Sequence, residues 1–291
     1  MGRATALDPR ARSAIRDLLA DPLFELIPLR NLDAQADALP DRAAVSVTAS
    51  AARGIEATVD ASERLAQRGF RVTPHLSARM IRDRDHLRAL LGRLAAAGIS
   101  RVFVIGGDAD GAGAFPDALS LLRAISETGA RFDEVGIAAY PEGHPDIPAA
   151  RLLEALAAKQ PFATSMTTQL CFDPDAIRRW LQARRDDGIT LPVVIGLPGV
   201  TELRKLLSIS ARIGVADSRR FLRKNTRLVG RLVRPGGYDP DALLAGLAPL
   251  VVDPALDIRG VHLYTFNYAA ATADWLRAYR DALGVPAGVA S

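Results

Sequence analysis

The sequence predicts a (β/α)8 barrel, and three observations carry that prediction. Eight short apolar runs rich in β-branched residues are spaced along the chain, helix-period segments separate them, and 291 residues suffice for one large α/β core. The first run, Leu23–Leu29, is apolar but for Glu25, set between Phe24 and Leu26. Ala43–Ala49, Arg71–Ser77 and Arg101–Gly107 follow, then Glu134–Tyr140, which ends where Pro141 withholds an N–H from any sheet. Phe162–Leu170, Leu191–Gly199 and Ile258–Asn267 complete the set. Helices are expected between them, as over Gly54–Arg68, Arg82–Ala97, Phe115–Glu127, Pro148–Lys159 and Pro174–Asp186. Strand alternating with helix implies parallel pairing with right-handed crossovers, and eight such repeats close into a barrel. No linker, low-complexity stretch or repeat divides the chain, so residues 1–291 read as one barrel domain, with an N-terminal helical extension over about 1–21.

Bulk composition narrows the function classes. The net charge of +4 is mildly basic; it permits an anionic substrate but does not announce a nucleic-acid binder. Cys171 is the only cysteine, which excludes a disulfide framework and a CxxC metal site. No run reaches the ~18 apolar residues of a membrane span, and the start, MGRATALDPRARSAIRDLL, lacks the apolar centre of a signal peptide. The cytoplasm is the expected compartment, and oligomeric state is left open.

Barrel architecture places function at the C-terminal ends of the strands. Thr48, His75, Asp108, Tyr140, Gln169 and Asn267 should therefore converge on one mouth. The densest of these ends is Ala138–Pro145, AAYPEGHP, which packs Tyr140, Glu142 and His144 into five residues just past a buried strand. Glu25 differs in lying within its strand. Burial disfavours an ionised carboxyl, which makes Glu25 a candidate general acid; the other reading is a structural carboxylate paired with Arg30, Arg71 or another arginine.

Taken together, these segments resemble the methylenetetrahydrofolate reductase family, whose members are (β/α)8 barrels. FELIPLR is similar to the family's FEFFPPR, VSVTAS to VSVTYGA, TPHLS to APHLT, and IGGD to LRGD. AAYPEGHP resembles AAYPEVHP, TTQLCFD resembles ITQFFFD, and HLYTFN resembles HFYTLN. Seven matches in one order span roughly Leu23 to Asn267. The resemblance implies reduction of 5,10-methylenetetrahydrofolate to 5-methyltetrahydrofolate, with hydride passing from NAD(P)H ordinarily through FAD. It implies that Glu25 assists opening of the folate imidazolidine ring by protonating N10. By the same resemblance Asp108 lies near the pterin, and Gln169, Tyr264 and Asn267 bind the substrate. Thr48, His75, Tyr140 and His144 take cofactor-binding positions.

The departures fall on the flavin site. The arginine of LRGD is replaced by Gly106. Counting back from Gln169, an Asn and an Arg-Lys pair that grip FAD in the family become Glu154, Ala157 and Ala158, and Lys159 stands one step on, roughly 100° round a helix. TYGA has become TASA. Hydrogen bonds to charged groups are worth about 1.5–3 kcal/mol each, so losing two or three weakens binding by about 3–9 kcal/mol. The expectation is hydride transfer from NADH or NADPH directly to the folate, with FAD doubtful. The alternative is a non-catalytic folate- or nucleotide-binding barrel. The expected partner is a reduced folate, with no nucleic acid, membrane or metal.

Other signals are weaker. Arg220, Arg223, Arg227, Arg231 and Arg234 recur at helical spacing, either as a stripe for an anion or as a solvated outer face. Asp108 and Asp110 lack the third ligand of a cation site. Cys171 reads as core, and His86 and His262 as a helix-surface and a strand residue.

Overall fold

The computed structural model describes residues 7–109, 113–201 and 238–284. Strands β1 (Leu23–Leu26), β2 (Ala44–Val47), β3 (Arg71–Ser77), β4 (Arg101–Ile105), β5 (Glu134–Ala139), β6 (Ser165–Thr168), β7 (Val193–Pro198) and β8 (Ile258–Tyr264) pair in parallel with their neighbours and close into a barrel. Helix α1 (Pro9–Leu18) precedes β1, and α2 (Leu32–Ala36), α3 (Gly54–Gln67), α4 (Arg84–Ala96), α5 (Ala118–Thr128), α6 (Ala149–Lys159), α7 (Pro174–Asp186), α8 (Asp241–Val251) and α9 (Ala269–Ala282) each follow a strand. No helix among the described residues is long and apolar enough to cross a membrane. The basic stretch Arg219–Arg234 and Asp110 lie outside the described residues.

Side chains alternate across each strand. On the outer faces, Phe24, Val45, Val72, Val102, Ile137 and Ile195 lie in one apolar cluster with helical residues such as Ile55, Leu87, Leu121 and Leu181. Each such side chain contributes about 1.5–3 kcal/mol by leaving water. The inner faces are different. Glu25 is aligned with Ser46 and Ser46 with Thr73, His75 with Phe103 and Phe103 with Gly136, and Gly196 with His262. The apolar shell thus encloses an interior carrying Glu25, Ser46, His75, Thr167 and His262, all buried.

Glycines let the large interior rings fit. A Cβ at Gly136 would stand 2.7 Å from the Phe103 ring. At Gly196 it would collide with the Thr168 carbonyl oxygen and come within 2.6 Å of the Tyr264 ring.

The barrel closes where β8 meets β1, Tyr264 aligned with Glu25 and His262 with Leu23. Just beyond β8, Phe266 (φ 52°) and Asn267 (φ 59°) take left-handed backbone conformations, which asparagine tolerates better than most residues. The reversal turns the Asn267 amide back onto Ile27. The Ile27 N–H donates to Oδ1 at 2.9 Å and Nδ2 donates to the Ile27 carbonyl at 3.1 Å, while the Thr265 hydroxyl donates to the Glu25 carbonyl.

Several expected boundaries shift for local reasons. β1 ends at Leu26 and β8 at Tyr264, because the Asn267 clamp takes over the Ile27 backbone and Pro28 has no N–H. Phe162 belongs to a single 3-10 turn with Pro161, so β6 starts at Ser165. α5 starts at Ala118 rather than Phe115, since Asp117 caps it in a reciprocal box with Ser120. Asp83 caps α4 through the His86 N–H, moving its start to Arg84.

Gly196→Ala forces a methyl against a backbone oxygen that cannot retreat. We expect a loss of about 1–3 kcal/mol in unfolding free energy by urea titration, against little change for Gly260→Ala, where a Cβ meets only a Val194 methyl at 3.9 Å.

Candidate active site

Glu25, His75, His262 and Tyr264 form one interior cluster. Glu25 Oε2 lies 3.2 Å from His262 Nε2, with both side chains buried. Two proton arrangements fit this contact: the His262 N–H donating to a carboxylate, or a carboxylic acid donating to the ring nitrogen. A carboxyl that trades a proton with a neighbouring imidazole can release one upward and be restored from the side. The His262 ring centroid is 4.8 Å from that of Tyr264 and 6.3 Å from that of His75, and His75 stands 4.8 Å from Phe103.

Burial sets the charge states around this cluster. His75 is pushed down from 6.5 to about 4, chiefly by burial; the Glu25 charge opposes the shift and His262 adds to it. It is a neutral imidazole at physiological pH. Tyr264 is pushed well above its ordinary value by burial, then by Glu25 and Tyr140, and its hydroxyl donates to the Thr168 carbonyl at 3.0 Å. It stays a phenol and braces β8 against β6.

A second group sits on the rim beyond β4 and β5. Tyr140 meets His144 edge-on at 5.5 Å, and burial and then Asp108 raise the Tyr140 phenol. The Asp146 N–H donates to His144 Nδ1 at 3.2 Å. Asp108 is exposed on a loop held by Arg79, whose Nε donates to the Ala109 carbonyl at 2.9 Å and whose backbone N–H donates to the Gly106 carbonyl. Gly107 has φ +85°, and a Cβ there would collide with the Ser77 hydroxyl. The tight turn that presents Asp108 therefore requires glycine at that position.

The remaining sequence-derived residues are placed as follows. Gln169, just past β6, accepts the Leu170 N–H on Oε1 at 2.8 Å, leaving its NH2 group uncommitted among the described residues. Thr48, just past β2, is half-buried, its carbonyl accepting from the Thr58 hydroxyl at 3.0 Å. Asn267 is not grouped with these: both ends of its amide are engaged by the Ile27 backbone. His86 is buried rather than on the helix surface; its Nδ1 accepts the Arg82 N–H and its Nε2 approaches Glu56 at 3.1 Å, joining α3 to α4. Cys171 is buried.

Sequence reasoning missed His262 and Ser46. Strand alternation was the signal that could have found His262: it lies two residues before Tyr264 and must share its face. Ser46 stands beside Glu25 in register, which no single-strand reading shows.

The positions at which the resemblance expects cationic contacts to a flavin pyrophosphate carry other groups. Ala157 is exposed, and Glu154 pairs with Arg151 at 2.8 Å on the same helix. Lys159 is buried and pushed down to about 8 by desolvation, lining a small gap with Ala138, Ala139, Tyr140 and Trp180 between α6 and the sheet. Gly106 offers no side chain at all. At these positions the residues do not offer a cation to a flavin pyrophosphate. No group of three or more His, Cys, Asp or Glu side chains among them could hold a metal.

Residues 28–219 match the sequence profile of methylenetetrahydrofolate reductase. A Caenorhabditis elegans protein named as a probable methylenetetrahydrofolate reductase (NADPH) is 30% identical over 98 residues, which are 32% of this chain and 15% of that protein. The match thus spans less than a sixth of that relative's length. The solved C-terminal domain of a candidate chitinase from Desulfitobacterium hafniense DCB-2 superposes with a TM-score of 0.52 at 13% identity, covering 90% of this chain and 99% of that one. At that identity the likeness speaks to the fold alone.

The His75 environment predicts a pH dependence of stability. The folded chain keeps His75 neutral down to about pH 4, whereas the unfolded chain protonates it near 6.5. Stability is therefore complete above 6.5 and falls as the pH drops toward 4, by about 3 kcal/mol in all. In urea titrations across that window, His75→Leu should show a correspondingly smaller loss; equal losses in both proteins would contradict the assignment.

Proposed function

The chain belongs to the methylenetetrahydrofolate reductase family, and on that premise we propose that it reduces 5,10-methylenetetrahydrofolate to 5-methyltetrahydrofolate with hydride taken directly from NADH or NADPH, without tightly bound FAD. The observation that carries the reading is the buried Glu25–His262 contact at the centre of the barrel. A pure binding protein has no need of an inward carboxyl held against an imidazole. In the proposed reaction Glu25 protonates N10 as its bond to the methylene carbon breaks, and the electron pair of that bond stays on nitrogen. The N5 iminium carbon that remains accepts the hydride and becomes the methyl group.

Two groups orient the substrate. Asp108, exposed on its glycine-defined turn, faces the amino edge of the pterin, and the free NH2 of Gln169 donates to a ring carbonyl or nitrogen. Tyr140, His144 and Thr48 line the side from which the nicotinamide approaches, and Tyr264 stands beside Glu25 at the β8–β1 seam. Family membership supports the folate substrate. The exposed Ala157, the Arg151–Glu154 pair and the buried Lys159 support transfer without a resident flavin.

Glu25→Gln tests the reading because it keeps shape and hydrogen bonding while removing the proton. We expect kcat for methylenetetrahydrofolate reduction to fall by about 10²–10⁴-fold, with folate affinity retained. Folate binding without turnover in the parent chain, unaltered by the substitution, would instead mark a binding protein.

A further inference from the structure

Three buried polar atoms of the barrel interior have no partner among the described residues: Ser46 Oγ, His75 Nε2 and His262 Nδ1. They are not scattered. Ser46 stands beside Glu25 in register, His262 touches Glu25 through its other nitrogen, and the His75 ring neighbours that of His262. Buried polar groups are hydrogen-bonded as a rule, and a polar interior of this kind holds bridging water.

Below this cluster the barrel opens. A cavity of about 370 Å³ occupies the N-terminal face, lined by inner-face residues of the lowest layer, among them Leu23, Thr73, Ser165 and Gly260. Thr73 is the connection: it lines that cavity and lies in register with Ser46. Thr73, Ser46 and Glu25 thus form a series side by side across β3, β2 and β1, between the cavity at the bottom of the barrel and the carboxyl, with His262 against Glu25 and His75 beside His262.

We propose that this series is a proton relay, in which Thr73, Ser46, His75, His262 and intervening water refill Glu25 from the N-terminal face of the barrel. The proposal rests on the reading of Glu25 as the acid of the reductive step. That step consumes one solvent proton per turnover: N10 takes the proton of Glu25, the methylene carbon takes the hydride, the nicotinamide leaves oxidised, and Glu25 is left as a carboxylate. Bound folate covers Glu25 from the mouth, so a route from below recharges the acid without product having to leave first. Hydroxyl groups accept and donate at once, and a neutral imidazole accepts on one nitrogen while donating from the other. Since His75 is held neutral by burial, it passes a proton on without trapping it.

Thr73→Val and Ser46→Ala remove one hydroxyl each from the series and leave Glu25 and the mouth intact. Enzyme equilibrated before mixing starts with its acid charged, so the first turnover by rapid quench should match the parent chain. Steady-state kcat, which requires recharging, should fall by at least about tenfold. Equal losses in both phases would mean that the hydroxyls shape the chemical step, and no loss in either would mean that protons enter from the mouth; each overturns the relay. A crystal structure fine enough to show bound water gives a readout independent of turnover. Waters bonded to Ser46 Oγ, His75 Nε2 and His262 Nδ1 are expected, and a dry interior overturns the relay. Absence of methylenetetrahydrofolate turnover in the parent chain would remove the underlying reading itself.

Discussion

The seam between β8 and β1 is the constraint on which the site depends. It is the joint between the first and last strands of the barrel, so its register must be set by contacts far apart in sequence. Asn267 supplies them by giving both halves of its amide to the Ile27 backbone, and Thr265 adds a bond to the Glu25 carbonyl. With that register fixed, Glu25 and Tyr264 lie side by side and His262 meets the Glu25 carboxyl. A slip of one residue would turn His262 and Tyr264 outward into the helix layer, where neither has a partner.

Around that seam the molecule divides cleanly between stability and chemistry. The apolar layer between sheet and helices contains the greater part of the core, so the interior is free to hold groups that cost stability. Buried His75 forgoes its charge, and the interior hydroxyls and imidazoles require partners. Such a concentration of costly groups at one level of the barrel is the usual mark of a site under chemical rather than structural demand. The glycines serve the same end, since Gly136 and Gly196 vacate the space that Phe103 and Tyr264 fill.

Much of this was legible in the sequence. The eight strands were readable because each is an apolar run ended by proline, glycine or a polar residue, and Glu25 was readable because a lone carboxylate interrupts an apolar strand. Exact ends were not, since they depend on side chains that act across the fold: the Asn267 amide truncates β1, and the Asp117 cap sets the start of α5. His262 read as an ordinary strand residue because its significance lies in a partner 237 positions away. For the same reason Asn267 read as a mouth residue like the others, although the folded chain spends its amide on closure. Lys159 shows a third limit: helical geometry tells that it faces away from its neighbours' side, but only the packed structure shows that this side is buried.

The proposed cofactor arrangement rests on what the rim provides. Where a flavin pyrophosphate would require cations, the described residues present alanine, glycine, an internally paired arginine and a buried lysine. Glu25, Asp108 and Gln169, to which the proposal gives the acid and folate-facing roles, stand in the same barrel. On the proposed reading, a proton donor beside a rim without those cations suits hydride moving in one step from nicotinamide to folate. The most direct measurement follows the hydride itself. Flavin-stripped protein is given nicotinamide cofactor deuterated at the transferring position, and the methyl group of the folate product is weighed by mass spectrometry. Full retention of deuterium is the predicted result; turnover that requires added FAD, with the label lost to solvent, would contradict the account.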